Sequence, residues 1–166
     1  MQPSDVDKLL TDYRTNQARF NHLYIDAMNT ALQINAEARK AIAEDAIHAQ
    51  QYKDSPPSGR ISKPVEDLAI RYMDGYVPDV LKGWMEESEA MQTELRELET
   101  NIMLVDTWLG ALSDSERVIV RANKIDGLKW PDITRKSKDL IGEYRSDRTL
   151  RSMCKCAMSK IYNIAR

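Results

Sequence analysis

The side chains in this sequence best suited to chemistry are basic and hydroxylic, and they gather near its C-terminal end. Arg148, Arg151, Ser152, Lys155 and Ser159 recur at steps of three and four, a spacing that sets them on one face of a helix. Guanidinium, ammonium and hydroxyl groups in that pattern can donate to phosphate oxygens and to base edges. The intervening positions Leu150, Met153 or Cys154, Ala157, Ile161 and Ile164 are apolar or small and form the stripe expected to be buried. Ser146 is the predicted N-cap of this helix, and the positive end of the helix dipole there can receive a phosphate. Arg148, Thr149, Arg151 and Ser152 fall in the first two turns, where base edges are usually reached. Lys129, Arg145, Lys155 and Lys160 are better placed for phosphates.

Other chemistries lack the residues they need. Cys154 and Cys156 are two positions apart, which points them ~200° apart around a helix, so they cannot chelate one metal together. His22 and His48 lie far from them in sequence. There is no glycine-rich phosphate loop, and no nucleophile and base grouping that spacing supports. Paired carboxylates such as Glu86 and Glu87 sit outside a heptad pattern, where solvated charge is the default. The expectation is a protein that is not an enzyme and holds no metal, cofactor or disulfide. Trp84, Trp108 and Trp130 occupy packing positions rather than base-stacking ones.

Charge is distributed unevenly. The whole chain has a formal net charge of −2, but residues 1–112 sum to −8 and residues 113–166 to +6. That asymmetry is expected when one end meets a polyanion. No stretch approaches the ~18 apolar residues of a membrane span. The N-terminal MQPSDVDKLL lacks the basic and apolar regions of a signal peptide, so a cytoplasmic location is expected.

The elements that must position the basic face read as helices throughout, giving an all-α fold. Residues Ser4 to about Lys53 contain neither Gly nor Pro. Leu10, Tyr13, Phe20, Tyr24, Ala27, Ala31, Ile34, Ala38 and Ala41 mark one stripe along them, weakest between Asn29 and Asn35. Three prolines and Gly59 between Asp54 and Pro64 predict a linker, followed by a short helix over Val65–Asp74. Between Asp79 and Leu112, Leu81 or Trp84, Ser88, Met91, Leu95, Leu98, Ile102, Val105, Leu109 and Leu112 follow a heptad series. This predicts a coiled-coil seam, formed within the chain against residues 4–53, between chains, or both. Residues 1–112 thus read as a helical oligomerisation region and 113–166 as a separate module.

Within that module, Ser113 and Glu116 have capping-box spacing and start a helix at about Asp114. Val118, Ile119, Ala122 and Ile125 form its buried stripe, and Gly127 suits its C-terminal cap. Pro131 opens a short helix near its first position, with Trp130 and Ile133 packing inward. A loop is expected over about Lys138–Arg145, ending at Ser146.

The run Leu112-Ser-Asp-Ser-Glu-Arg-Val-Ile, then Gly127-Leu-Lys-Trp-Pro-Asp-Ile133, then Ser146-Asp-Arg-Thr-Leu-Arg151 with Ala157 and Ile161, resembles sigma-factor-like helix-turn-helix domains. In particular it resembles phage-encoded transcriptional regulators of the ArpU/RinA late-gene type. Lys63-Pro-Val-Glu-Asp-Leu-Ala69 and the heptad helix are similar to that family's middle region. The link from Ile133 to Ser146 is longer here than in the family. The resemblance implies a phage or prophage regulator in a bacterial cytoplasm, binding double-stranded DNA as a homodimer through the 79–112 heptad helix, with RNA polymerase as a further partner. Two other classes fit the same pattern. A small terminase subunit, which packages DNA, would assemble into rings. A helical interaction adaptor would offer the basic face to an acidic protein and bind no DNA.

Overall fold

The computed structural model describes residues 1–53, 77 and 79–166; the expected linker and the short helix over 65–74 lie outside them. Every regular element among the described residues is helical. The order is α1 (Pro3–Lys53), α2 (Asp79–Gly110), α3 (Asp114–Val120), a π-helical turn (Arg121–Ile125), α4 (Trp130–Arg135), α5 (Ser137–Ile141) and α6 (Asp147–Ile164). No helix among the described residues is long and apolar enough to cross a membrane.

The chain divides into two compact units: residues 1–22 with 95–166, and residues 23–94. The first has a continuous apolar core in which the N-terminal turns of α1 take part. Val6, Leu10 and Tyr13 are buried there with Val105, Trp108, Leu109 and Leu112 from α2 and its exit. Ile119, Val120, Ile133, Leu150, Ala157 and Ile161 complete it. The helices around the basic face therefore share their core with α1 and α2, beyond the 113–166 boundary that the sequence suggests.

In both units the heptad stripe of α2 is its covered side. Leu98, Val105, Leu109 and Leu112 are buried, while the intervening acids Glu86, Glu87, Glu97 and Glu99 are exposed. In the second unit the Thr30 hydroxyl reaches the Met91 sulfur at 3.9 Å. The stripe of α1 departs from the expected one: Thr30 is buried, whereas Tyr24 and Ala31 are exposed. A 3.6-residue helix drifts along a heptad, so the inward position falls on Thr30 rather than on the neighbouring Ala31. No interruption occurs at Asn29–Asn35, which is helical throughout.

Between α3 and α4 the chain follows the expected plan with one modification. The Asp126 amide donates to the Arg121 carbonyl at 2.8 Å, a π-type bond that adds a residue to the turn. Val120, just before this turn, is buried alongside Ile119, Ala122 and Ile125. Gly127 follows with φ +65, and the Leu128 amide closes onto the Ala122 carbonyl at 2.9 Å. A left-handed residue is the usual close to a helix, and glycine adopts it without a Cβ clash.

The predicted loop at 138–145 is partly helical. α5 occupies Ser137–Ile141 and ends at Gly142, with φ +79. Ser137 is buried, and its hydroxyl accepts from the Arg145 amide at 3.4 Å. Leu140 and Ile141 pack against the core. These apolar side chains anchor a segment whose Lys-Ser-Lys-Asp start suggests a polar loop.

Candidate nucleic-acid interface

The site is built on α6. Ser146 has extended backbone, and its hydroxyl accepts from the Thr149 amide at 3.3 Å. The Ser146 and Thr149 hydroxyls are also 2.9 Å apart. One side of the helix is locked in place: Leu150, Cys154, Ala157, Met158 and Ile161 are buried. The other side carries Arg148, Ser152, Lys155, Cys156 and Ser159, all exposed. The periodicity read from the sequence corresponds to two faces except at the end of the helix, where Ile164 of the expected buried stripe is 48% exposed because it lies beyond the packed turns.

The expected contact residues fall into three groups. Arg148, Ser152 and Lys155 share the open face of α6, and none has an ion-pair partner among the described residues. Lys129 is exposed as the N-cap of α4. Ser146 and Thr149 are occupied in capping but remain at the accessible helix start.

Arg151 is held from two sides. Its Nε donates to the Asp147 carboxylate at 2.8 Å, and its guanidinium lies 5.2 Å from the centroid of the Trp130 ring. A planar cation over an indole face gains electrostatic attraction to the ring and loses rotamer freedom. Arg151 can therefore present its remaining donors in a fixed direction. Trp130 packs against the core as expected and also supports a basic residue of α6. Trp108 is buried, whereas Trp84 is 36% exposed, contrary to its expected packing role.

Arg145 and Lys160 are engaged within the chain. Arg145 pairs with Glu143. The Lys160 ammonium donates to both oxygens of Glu116, at 2.7 and 2.9 Å. That carboxylate also accepts from the Ser113 amide at 3.1 Å and the Ser113 hydroxyl at 2.9 Å. The Lys160 hydrogen bond, reinforced by the Ser113 donors, holds the Glu116 carboxyl below its ordinary value, against the opposing effect of burial. Lys160 thus ties the end of α6 to the start of α3.

Sequence spacing gave no sign of a further feature beside the basic face. A groove of about 490 Å³ is lined by Asn123, Lys124, Trp130, Arg151, Lys155, Ser159 and Tyr162, among others. The Lys124 ammonium and the Tyr162 hydroxyl both donate to Asp7, at 2.8 and 3.0 Å. Burial and the Asp7 carboxylate raise the Tyr162 phenol above its usual value. Asp7 lies 117 positions from Lys124, which explains why no local pattern announced the pair. Cys154 is buried and Cys156 exposed, both as free thiols. Among the described residues no group of three His, Cys, Asp or Glu side chains converges as metal ligands would.

The chain matches no family model, and no curated protein or solved structure matches it.

Proposed function

We propose that this chain is a sequence-specific DNA-binding regulator of the phage or prophage type, using α6 as the helix that enters the major groove. One observation carries the reading: α6 is fixed by a buried stripe on one side and presents Arg148, Ser152 and Lys155 together on the other. A single helix held in this way can lie in the groove with its first turns against base edges. Arg151, steadied by Asp147 and Trp130, is positioned for directional contact. The open start of α6 and Lys129 serve the phosphates.

A dimer reading two half-sites follows from this proposal, with RNA polymerase as a candidate partner for a regulator. The α2 heptad stripe is already covered within the chain, so the surface that pairs two copies lies elsewhere.

The test is selection of a preferred duplex from random sequence, followed by binding measurements with Arg148→Ala and Arg151→Ala. Each variant is expected to weaken binding to the selected duplex by ~1–3 kcal/mol and to relax sequence preference. Wild-type affinity in both variants refutes the assignment of α6.

A further inference from the structure

The groove of about 490 Å³ beside α6 takes its walls from two parts of the chain. At about 100° per residue, Arg151, Lys155 and Tyr162 run along one edge of α6, between its open face and its buried stripe. Asn123 and Lys124 from the π-helical turn and Trp130 from the start of α4 supply the other wall. Three lining residues are cationic and none is acidic. Lys155 has no ion-pair partner among the described residues. Arg151 and Lys124 are each held at 2.8 Å by a carboxylate that does not line the groove, Asp147 and Asp7. Both keep further donors, since a guanidinium carries five N–H groups and an ammonium three. Ser159 adds an exposed hydroxyl.

We propose that this groove seats the sugar-phosphate backbone of one DNA strand, the strand that borders the major groove entered by α6. The inference rests on the DNA-binding reading and extends the interface to residues outside α6. Two features select a DNA strand as the occupant. The first is charge: cations, a hydroxyl and an amide with no opposing carboxylate in the lining complement a run of phosphodiesters. The second is fit. A helix with its side chains is about 10–12 Å across, and the major groove of B-DNA is about 12 Å wide. A helix lying in it therefore has a phosphate wall along each edge. The edge of α6 that carries Arg151 and Lys155 is the one that opens into this concavity, so the strand along that edge enters it. Lys155 and Ser159 then meet the strand from α6, and Asn123 and Lys124 meet it from the π-helical turn. That turn, 117 positions from the Asp7 that steadies it, becomes part of the interface.

Opposite substitutions at Asn123 test the seating, read by fluorescence anisotropy over a salt series with a duplex selected by the wild-type chain. Asn123→Lys adds a fourth cation to the groove. It is expected to tighten binding several-fold and to steepen the slope of log affinity against log salt by ~0.9. Asn123→Asp is expected to weaken binding several-fold and to flatten the slope by a comparable amount. Both variants keep the wild-type sequence preference. The Asn123 amide, which donates to the Leu128 carbonyl at 3.4 Å, is removed in both, so a merely structural role shifts the two in the same direction. Variants with wild-type affinity and slope, or variants that shift together, overturn the seating and leave the reading of α6 intact. A wild-type chain that selects no duplex overturns both. An iron chelate attached at Asn123→Cys in a Cys156→Ser background locates the strand. Cleavage is expected on one strand over a few consecutive nucleotides; a bound duplex left uncleaved, or cut throughout, refutes the placement.

Discussion

Lys155 and Lys160 look alike in the sequence, as two lysines near one basic helix face, yet the structure separates them sharply. Lys160 donates to both oxygens of Glu116, whose side chain is only 13% exposed, while its own side chain is 55% exposed. Lys155 has no ion pair among the described residues. Replacing Lys160 with alanine removes a charge-assisted contact to a well-covered carboxylate, which favours a substantial loss. Exposure of the lysine and the Ser113 donors left on Glu116 reduce that loss, so about 1 kcal/mol is the expected cost. For a chain of 166 residues this lowers Tm by about 2–4 °C. Lys155→Ala should change stability by less than ~0.5 kcal/mol. On the DNA-binding reading the two variants reverse order in binding. Each phosphate neutralised contributes ~0.9 to the slope of log affinity against log salt, so Lys155→Ala flattens the slope by about that amount and Lys160→Ala leaves it unchanged. Fluorescence anisotropy with a labelled duplex over a salt series, beside thermal unfolding of each variant, measures both. A Lys160→Ala variant with wild-type Tm and a flattened slope would refute the separation.

Two further outcomes follow from the ionisable groups. The Glu116 carboxyl is held low, so its contribution to stability is present above its unfolded value and is lost as pH falls through the folded value. Tyr13, raised mainly by burial and then by its hydrogen bond to Asp106, and Tyr162 act in the opposite sense: their contribution is full below ~10 and is lost as pH rises through the folded values. Urea titrations should therefore show Lys160→Ala reducing the loss of stability on acidification, and Tyr13→Phe reducing the loss on the alkaline side; unchanged slopes would contradict these assignments. In thiol titration with an aromatic disulfide, the native protein should expose one fast group, Cys156, and a second only on unfolding, since Cys154 is buried and burial raises its thiol pKa. A bound duplex should slow Cys156, which shares the open face of α6 with Ser152; an unchanged rate would remove that face from the interface.

The parts of the fold that depend on short-range chemistry were legible. The buried stripe of α6, the Ser146 cap, the start of α3 at Asp114 and the left-handed Gly127 all rest on residues within one or two turns of each other. The heptad of α2 was legible as a covered stripe, though periodicity alone left its partner open. What escaped depends on the approach of distant segments. Lys160 reaches Glu116 across 44 positions, and Asp7 reaches Lys124 and Tyr162 across 117 and 155. The inward side of α1 was only partly legible for another reason: a helix with apolar residues on two sides offers competing registers, and here the polar Thr30 faces inward while Tyr24 and Ala31 face out. α5 was missed because its inward residues, Leu140 and Ile141, are few and follow charged neighbours.

The net charge of +6 over residues 113–166 already cancels the ion pairs made within that stretch, so the pairings show where the excess lies rather than how large it is. Arg117 donates to the Leu109 and Leu112 carbonyls, and Lys124 is committed to Asp7. Arg135, Arg145 and Lys160 pair with Asp132, Glu143 and Glu116. Arg151 retains donors but shares its charge with Asp147. The exposed cations outside these pairs include Lys129, Lys136, Lys138, Arg148, Lys155 and Arg166, and on the DNA-binding reading non-specific affinity rises with the number of phosphates they neutralise. On the DNA-binding reading, a second module would add affinity, because joining copies raises the effective concentration of the second once the first is bound. On that reading a single α6 supplies direction through Arg148 and the clamped Arg151, and pairing adds affinity.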